Sequence, residues 1–330
     1  MKKIVVLGSN SFAGSSFVRF LLKNKYFVLA TSRSREKTDV FKIYKKLITN
    51  KNFFYTPVNI NNDKDIKILI KLIKKYRIKN IVDFASQSMV AESWINPEHW
   101  VKTNCLGKIK LYSALNKLKK IRLIRISTPE VYGSSINKIK ENDSHNPSTP
   151  YAVTQSAGDF FLKIFSEYKD FNAINLRFAN FYGPGQQLYR LIPKIIMKIL
   201  SKQKFPLHGN GKSLRSFIYA DDFCYSIVNA IKYGKKGETY NISPNKSISI
   251  IQLAKLICTL MNCPSSKLIK FSDDRLGKDF KYLLDSKKAR KNLHWKDNVS
   301  LRAGLEKTIS WHKINYKKLS KKKQIYIHKK

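Results

Sequence analysis

The sequence predicts an α/β fold, a doubly wound parallel sheet with a smaller second lobe, and two observations carry this prediction. In the first half of the chain, short apolar runs alternate regularly with stretches whose apolar residues recur at helical spacing. After Gly183 this rhythm breaks, with the loop-rich segments GPGQQ and HGNGKS and more widely spaced elements. The 330 residues, 43% of them hydrophobic, suffice for one large or two smaller domains with a substantial core.

The predicted strands are short apolar runs, in chain order KIVVLG, YFVLATS, NFFYTPV, NIVDFAS, RLIRIST and NAINLRFAN. Between them lie amphipathic stretches such as DIKILIKLIKKY, and a helix is predicted over about 151–168. This β–α alternation is typical of a parallel sheet. We predict a first domain over 1–180 plus about 216–245, a smaller lobe over 181–215 and 246–315, and a basic tail over 316–330.

The net charge of +42 arises from 64 basic and 22 acidic residues. Nucleic-acid or anionic-membrane binding is one interpretation. We favour a lysine-rich composition instead and predict no nucleic-acid partner, because Lys, Ile and Asn are abundant and evenly spread. The exception is the tail KKLSKKKQIYIHKK, which we expect to be frayed or to touch an anionic surface.

The four cysteines form no CxxC pair and no metal-ligand spacing. They are typical of reduced thiols in a cytosolic protein, and we predict no metal site. The apolar run in MKKIVVLGSN is too short for a signal peptide, and no other run approaches the length of a membrane span. We therefore predict a cytoplasmic protein without a membrane span.

The turn after the first strand predicts a phosphate site. Gly8, Ser11 and Gly14 occupy the three positions of a GxxGxxG turn, with Ser11 in place of the middle glycine. Small residues there let a phosphate approach the backbone amides and the positive end of the next helix. The alternative is a tight strand–helix turn without a ligand.

The second strand ends in ATSRSRE, where dinucleotide folds that bind NAD usually place an acid. This chain offers Ser32, Arg33 and Arg35 instead. Because the forked guanidinium group of arginine can bind a phosphate through paired hydrogen bonds, we predict that the cofactor is NADP in preference to NAD. NAD remains the alternative. The alternative is a pair of solvated surface arginines.

Three residues near the end of the fifth strand and the start of the following helix predict a catalytic group. Thr128, Glu130 and Tyr151 would reach the carboxyl edge of the sheet as a hydrogen-bonding hydroxyl, a carbon-acid base and a hydroxyl base for one sugar. Alternatively, Glu130 is a solvated loop acid and Tyr151 packs beside Val153 and Ala157.

The chain resembles the extended short-chain dehydrogenase/reductases, which have a Rossmann-type sheet, and within them the nucleotide-sugar 4,6-dehydratases. The resemblance runs from about Lys3 to Trp295 and rests on an ordered set of motifs: GSNSFAG, DFASQSMVAESWINPEHWVKTN, STPEVYG, PYAVTQ, RFANFYGPGQ, GKSLRSFIYADD, YNI and DDRLGKDFKYLLD. It implies an enzyme that converts an NDP-hexose to an NDP-4-keto-6-deoxyhexose with a bound nicotinamide cofactor, in a homodimer whose smaller lobe binds substrate.

Carried over by position, the resemblance implies three sets of site residues. The cofactor set, with Ser32 and Arg33 added from the second strand, is Gly8, Ser11, Phe12, Gly14, Asn59, Ile60, Ala85, Ser86, Gln87, Tyr151 and Gln155. The catalytic set is Thr128, Glu130, Tyr151 and Gln155. The substrate set is Ser88, Asn180, Arg190, Arg215 and Arg275, with ion pairs to Asp222 or Asp274 as the alternative for the arginines.

The implied mechanism begins when Tyr151 takes the proton of the sugar 4-hydroxyl while C4 gives up hydride. The 4-ketone acidifies the C5 hydrogen, Glu130 removes it, the 6-hydroxyl leaves as water, and hydride returns to C6. Two departures bear on it: Pro129 replaces an acid of the dTDP-glucose enzymes, and Gln155 replaces a lysine. A unit charge ~5 Å away, at an effective dielectric near 20, contributes roughly 3 kcal/mol, or about two pKa units, which an amide does not supply.

Several alternatives stay open. A UDP-glucuronate decarboxylase-like enzyme shares the Thr-x-Glu pattern, whereas 4-epimerases generally lack an acid at Glu130. The departures also fit a catalytically impaired NADP- or sugar-nucleotide-binding protein. On the helix that begins near Tyr151, we expect Val153, Ala157, Phe160 and Phe161 to face the core, and Tyr151 and Gln155 to share a separate stripe.

Overall fold

The computed structural model describes residues 1–36, 39–135, 137–208, 210–272 and 283–328. The described strands are β1 (Lys3–Leu7), β2 (Phe27–Ser32), β3 (Phe53–Pro57), β4 (Asn80–Asp83), β5 (Arg122–Ser127), β6 (Lys138–Ile139), β7 (Ala173–Phe178), β8 (Asn180–Tyr182), β9 (Phe205–His208), β10 (Leu214–Arg215), β11 (Phe217–Tyr219), β12 (Thr239–Ile242), β13 (Ile248–Ser249), β14 (Ile269–Ser272) and β15 (Leu283–Leu284).

The described α-helices are α1 (Phe12–Lys23), α2 (Asp63–Tyr76), α3 (Val90–Ile95), α4 (Pro97–Trp100), α5 (Gly107–Asn116), α6 (Pro150–Tyr168), α7 (Leu191–Leu200), α8 (Ala220–Tyr233), α9 (Ile250–Leu260), α10 (Ser265–Leu268), α11 (Lys287–Asn292) and α12 (Leu301–Leu319). Two 3₁₀ turns (Lys45–Leu47 and Pro129–Tyr132) and a π-helical segment (Val101–Leu106) complete the helical elements of the described chain.

The main sheet has seven strands in the order β12-β7-β5-β4-β1-β2-β3, and every neighbouring pair is parallel. The chain builds outward from β1 to β3 and then returns to place β4 on the other side of β1. Such a reversal creates a crevice at the carboxyl ends of the strands, where folds of this kind bind ligands. The predicted α/β fold with a parallel, doubly wound sheet is confirmed.

The apolar runs of the strands are continuous because both faces of the sheet are covered. In β1, Ile4 and Val6 pack into one cluster with α1 and α8, whereas Val5 and Leu7 pack into another with α2 and α5. Successive side chains of a strand point to opposite faces, so a strand buried on both sides is apolar at most of its positions.

A third apolar cluster joins α7, α9 and α12 through residues such as Ile195, Leu253 and Leu305. It draws on both chain segments that we assigned to the smaller lobe and also on Tyr219, from the 216–245 segment that we assigned to the first domain. The domain limits stay a prediction. The predicted tail differs from the structure: α12 continues to the buried Leu319, and beyond it Tyr326 packs on Tyr189 with ring centroids 5.3 Å apart. The tail is therefore packed through His328 instead of frayed.

The predicted orientation of α6 was wrong. Val153 and Phe160, expected in the core, are each 51% exposed, while Tyr151 and Gln155 are 8% and 2% exposed. The physical reason is that part of the buried side of α6 is polar: its Asp159 pairs with buried arginines, and Val153 and Phe160 are left on the outer side. Among the helices of the described chain, none combines the length and apolar character needed to cross a membrane.

Candidate active site

A cleft of about 700 Å³ opens at the carboxyl edge of the main sheet, with the smaller lobe on its other side. Most of the predicted site residues line it: Gly8, Ser11, Phe12, Ser32, Arg33, Asn59, Ile60, Ala85, Ser86, Gln87, Ser88, Thr128, Glu130, Tyr151, Gln155, Asn180, Arg190 and Arg215. Gly14 is not part of the lining. Arg275 lies outside the described residues, so its predicted role stays a prediction.

The turn between β1 and α1 is built by close backbone packing. Gly8 has a φ of +78°, and a Cβ on it would stand 2.8 Å from the carbonyl carbon of Phe84. A Cβ on Gly14 would stand 2.4 Å from the Gly8 carbonyl oxygen. Gly14 therefore brings α1 against the turn, and its predicted contact with the cofactor stays a prediction.

Ser11 replaces the middle glycine and takes a structural role of its own. Its hydroxyl accepts a hydrogen bond from the Gly14 backbone N–H at 3.0 Å and donates one to the Gly8 carbonyl at 2.8 Å. This N-cap leaves the start of α1 facing the cleft, the arrangement by which helix N-termini bind phosphates.

The end of β2 presents Arg33 to the cleft without an adjacent acid. Ser32 is buried, and its hydroxyl accepts the Asn10 backbone N–H at 2.8 Å. The next acid along the chain, Glu36, is held by Lys42 at 2.7 Å. Arg33 also lines a neighbouring hollow beside Asn59.

Beyond β3, Asn59 donates its backbone N–H to the Asp65 carboxylate at 2.8 Å, and Ile60 is 4% exposed. This fixes the segment that forms the far wall of the cleft. Asn59 turns its side-chain oxygen to the Asn61 backbone N–H at 3.1 Å, which shapes the loop before α2.

The loop after β4 is held by Asn104, a fully buried residue that the sequence analysis quoted in a motif but did not assign. Its side-chain oxygen accepts hydrogen bonds from the Ser86 hydroxyl and the Gln87 backbone N–H, both at 2.9 Å. Its nitrogen donates to Thr154 on α6 at 3.0 Å. Asn104 thus ties the cofactor-side loop to the helix that carries Tyr151.

The three predicted catalytic side chains meet at the floor of the cleft. Thr128 caps the 3₁₀ turn, and its hydroxyl accepts the Glu130 backbone N–H at 3.3 Å. Burial raises the pKa of Tyr151 strongly and the nearby Glu130 carboxylate raises it further, whereas a hydrogen bond with Thr128 lowers it. The Glu130 charge is therefore close enough to the Tyr151 phenol to raise its pKa.

Gln155 belongs to a buried polar network that the sequence analysis missed. The Arg125 guanidinium donates to the Gln155 side-chain oxygen at 2.8 Å, and the Gln155 nitrogen donates to Ser86 at 2.5 Å. Arg125 also pairs with Asp159 at 2.9 Å, and Arg177 pairs with the other oxygen of that carboxylate. The signal was present in RLIRIST, where an arginine interrupts an apolar strand and so requires a buried partner.

Elsewhere in the lining, Arg190 donates to the Ser88 hydroxyl at 3.3 Å, and Asn180 is the first residue of β8. Arg215 reaches the cleft from β10 in the smaller lobe. Tyr326, from the packed tail, lies in the same lining.

Comparison with known proteins agrees with this geometry. The family model described as GDP-mannose 4,6 dehydratase matches residues 5–308. The dTDP-D-glucose 4,6-dehydratase of Bos taurus is 30% identical over 326 residues, covering 96% of this chain and 90% of the relative.

Solved structures of two nucleotide-sugar enzymes match nearly the whole chain. The dTDP-glucose 4,6-dehydratase DesIV from Streptomyces venezuelae, solved with NAD bound, is 25% identical with a TM-score of 0.88, over 96% of this chain and 98% of that chain. The UDP-glucuronic acid 4-epimerase from Bacillus cereus, in complex with UDP-glucuronic acid and NAD, is 26% identical with a TM-score of 0.87, over 95% of this chain and 100% of that chain. This chain therefore belongs to the GDP-mannose 4,6-dehydratase family of extended short-chain dehydrogenase/reductases.

Proposed function

We propose that this protein is an NDP-sugar 4,6-dehydratase, which converts an NDP-hexose to an NDP-4-keto-6-deoxyhexose with a bound nicotinamide cofactor. The observation that carries the proposal is the meeting of Thr128, Glu130 and Tyr151 at the floor of one cleft, with the Glu130 charge acting directly on the Tyr151 phenol. A hydroxyl base and a carbon-acid base in one cleft are the two groups that this reaction needs.

The residues present fit a nicotinamide dinucleotide. The Cβ-free turn at Gly8 and the capped start of α1 form a cradle for a diphosphate at the point where the strand order reverses. Other residues that would hold the cofactor are Ser11, Phe12, Ser32, Arg33, Asn59, Ile60, Ala85, Ser86, Gln87, Tyr151 and Gln155. The cofactor supplies hydride acceptance and return, a chemistry that amino-acid side chains lack.

We propose that Tyr151 accepts the proton of the sugar 4-hydroxyl, with Thr128 holding the phenol by its hydrogen bond. Glu130 then removes the proton at C5, which the adjacent ketone has made acidic, and gives it to the departing 6-hydroxyl, which leaves as water. The product would be completed by hydride at C6 and a proton at C5, and the latter balances the proton that Tyr151 accepted from the 4-hydroxyl. Pro129 has no proton to give, so Glu130 serves both transfers.

The nucleotide diphosphate of the substrate would meet Arg190, Arg215 and Asn180, with Ser88 beside Arg190. Guanidinium groups bind diphosphate oxygens through paired hydrogen bonds. Their positions on both lobes support a substrate that spans the cleft.

The nicotinamide cofactor is proposed to be NAD. The two solved neighbours described above were both solved with NAD, which favours NAD over the NADP predicted from Arg33. Since Arg33 faces the cleft, an Arg33→Asp variant separates the two cofactors. If the wild type binds NADP more tightly than NAD, and the variant loses that preference, the proposal of NAD fails.

The exposed stripe of α6 supports a homodimer. Val153, Phe160 and Ile164 are each about half exposed on one side of this helix, and Val101 and Leu106 are exposed nearby. Apolar patches of this kind usually pack against a partner. Light scattering is expected to give a dimer, and Phe160→Glu a monomer; a wild-type monomer would contradict the proposal.

A cytoplasmic location is proposed from the four free cysteines, and cell fractionation tests it.

The deciding experiment is incubation of the purified protein with a panel of NDP-hexoses, followed by mass spectrometry. Loss of water that disappears in Tyr151→Phe and Glu130→Gln is expected. Loss of carbon dioxide from UDP-glucuronate would indicate the decarboxylase-like alternative instead. Return of every sugar unchanged, with the cofactor still bound, would mean that the chain is a catalytically impaired binding protein.

A further inference from the structure

We propose that Arg125 is a positioning residue that supplies, through Gln155, the positive charge that Tyr151 needs in order to lose its proton. In this chain, the cation that the family resemblance leads one to expect on helix α6 would instead lie beneath it, on strand β5. The inference deepens the proposed function and rests on it, because it assumes that Tyr151 is the hydroxyl base.

Arg125 is fully buried and contacts the helix one turn after Tyr151. One of its terminal nitrogens donates to both oxygens of Gln155, to the side-chain oxygen at 2.8 Å and to the backbone carbonyl at 3.0 Å. Residues four apart on a helix share one side, so Gln155, which contacts the guanidinium, lies next to Tyr151. The positive charge of Arg125 therefore contacts the helical turn that joins Tyr151 to Gln155.

The contacts also fix the orientation of the Gln155 amide. A guanidinium can only donate, so the atom that faces Arg125 must be the oxygen. The nitrogen then points to Ser86 in the cleft, and the Ser86 hydroxyl donates onward to Asn104. A cation on the amide oxygen polarises the amide and strengthens its N–H groups as donors toward the cleft.

The charges around Arg125 leave it only partly neutralised. Its carboxylate partner, Asp159, is shared with Arg177, so these two guanidiniums divide one carboxylate. The other ions packed nearby, Asp83 and Lys108, form a buried pair at 2.5 Å and largely cancel one another. Arginine stays protonated at every accessible pH, so this residual charge is permanent.

The charged groups that face Tyr151 come from three other elements. Burial and then the Glu130 carboxylate raise the pKa of its phenol. The Thr128 hydrogen bond lowers this pKa, followed by the Arg190 charge and then by the smaller effect of the Arg125 charge. Arg190 lies at the cleft wall, where solvent and ions screen its charge. Arg125 is shielded from water, so its effect persists at high ionic strength.

The experiment compares pH–rate profiles of the wild type, Arg125→Met and the exchange variant Arg125→Met/Gln155→Lys, on the sugar that the wild type dehydrates. Removal of the charge is expected to move the acid limb of kcat upward by about one to two pKa units and to slow the reaction roughly ten- to a hundredfold near neutral pH, with recovery as the pH rises. The exchange variant, which moves the cation from strand to helix, is expected to restore the wild-type profile, and KM is expected to change little.

Arg122→Met is the matched control, since Arg122 is on the same strand but donates to the Ile231 carbonyl, away from the cleft. Its profile should match the wild type. If Arg125→Met does not fold, Gln155→Met tests the same link with the charge in place and is expected to shift the acid limb in the same direction.

The proposal is overturned if the folded Arg125→Met variant keeps the wild-type acid limb, or if Gln155→Met does. It is also overturned if the exchange variant folds but stays slow at neutral pH. A wild type that dehydrates no sugar at all would refute the proposed function instead, so the two failures are distinguishable.

Discussion

Replacing Gln155 with lysine would restore the residue that the family resemblance leads one to expect, yet we predict that Gln155→Lys destabilises this protein. The Gln155 side-chain oxygen lies 2.8 Å from a nitrogen of the buried Arg125 guanidinium, so an ammonium in its place meets a fixed positive charge. In this chain, position 155 carries an amide whose oxygen accepts the hydrogen bond from Arg125.

The magnitude follows from the geometry. Two unit charges ~4 to 5 Å apart, at an effective dielectric near 20, repel each other by roughly 3 to 4 kcal/mol. The introduced ammonium can escape by losing its proton, so its pKa should fall from ~10.4 by about two to three units. Between that lowered pKa and ~10.4 the unfolded chain binds more protons, so the stability of the variant rises with pH across this window. The penalty is thus full near pH 7 and small above about pH 10.

The assay is urea unfolding of the wild type, Gln155→Lys, Arg125→Met and the double variant, at about pH 7 and about pH 9.5. We expect Gln155→Lys to lose about 3 kcal/mol of unfolding free energy at the lower pH and clearly less at the higher. In the Arg125→Met background the same substitution should cost little. An equal loss at both pH values, or in both backgrounds, would refute the electrostatic reasoning and point to a steric cause.

Three further predictions follow from the site and the core. Glu130→Gln should abolish water loss from the sugar while the affinity for the nicotinamide cofactor, measured by fluorescence titration, stays unchanged; retained water loss would exclude Glu130 as the C5 base. Gly14→Ala should lower the unfolding free energy by about 1 to 3 kcal/mol, because the added carbon would stand 2.4 Å from the Gly8 carbonyl oxygen, and an unchanged urea midpoint would contradict that packing. Burial and then the Arg177 charge lower the pKa of His145 from 6.5 to about 4. The unfolded chain therefore binds a proton at His145 at a higher pH than the folded chain does, and the unfolding free energy should fall as the pH drops from about 6.5 toward 4. This fall should be less steep in His145→Gln.

The strands were predictable because the sheet is covered on both faces. Under that condition a strand can be an unbroken apolar run, as in β1, and the ends of the run then mark the ends of the strand. The turn residues Gly8 and Ser11 and the residues after β5 were predictable because parallel strands bring their carboxyl ends to one edge.

The side of α6 that meets the sheet could not be predicted from its apolar residues. Apolar spacing locates a stripe that avoids water, but a subunit partner can cover that stripe as well as a core can. Here the sheet-facing side carries Gln155 and Asp159, because Arg125 and Arg177 project from the sheet toward the helix. These contacts between helix and sheet join residues that are far apart in the chain, so they can be identified only once the fold is known.

The two departures from the family pattern differ in how the structure answers them. The charge missing at Gln155 has a nearby replacement in Arg125, because a buried strand can deliver a cation to the helix that packs on it. The proton missing at Pro129 has no such substitute in its own turn, where the ring occupies the first position and Thr128 caps the Glu130 N–H. A proline there restricts the backbone of the turn in advance, so placing Glu130 in the cleft lining costs less backbone entropy. A single well-placed carboxyl can accept the C5 proton and then give it to the leaving hydroxyl, so the rigidity of this turn favours one acid that serves both steps over two that serve one each.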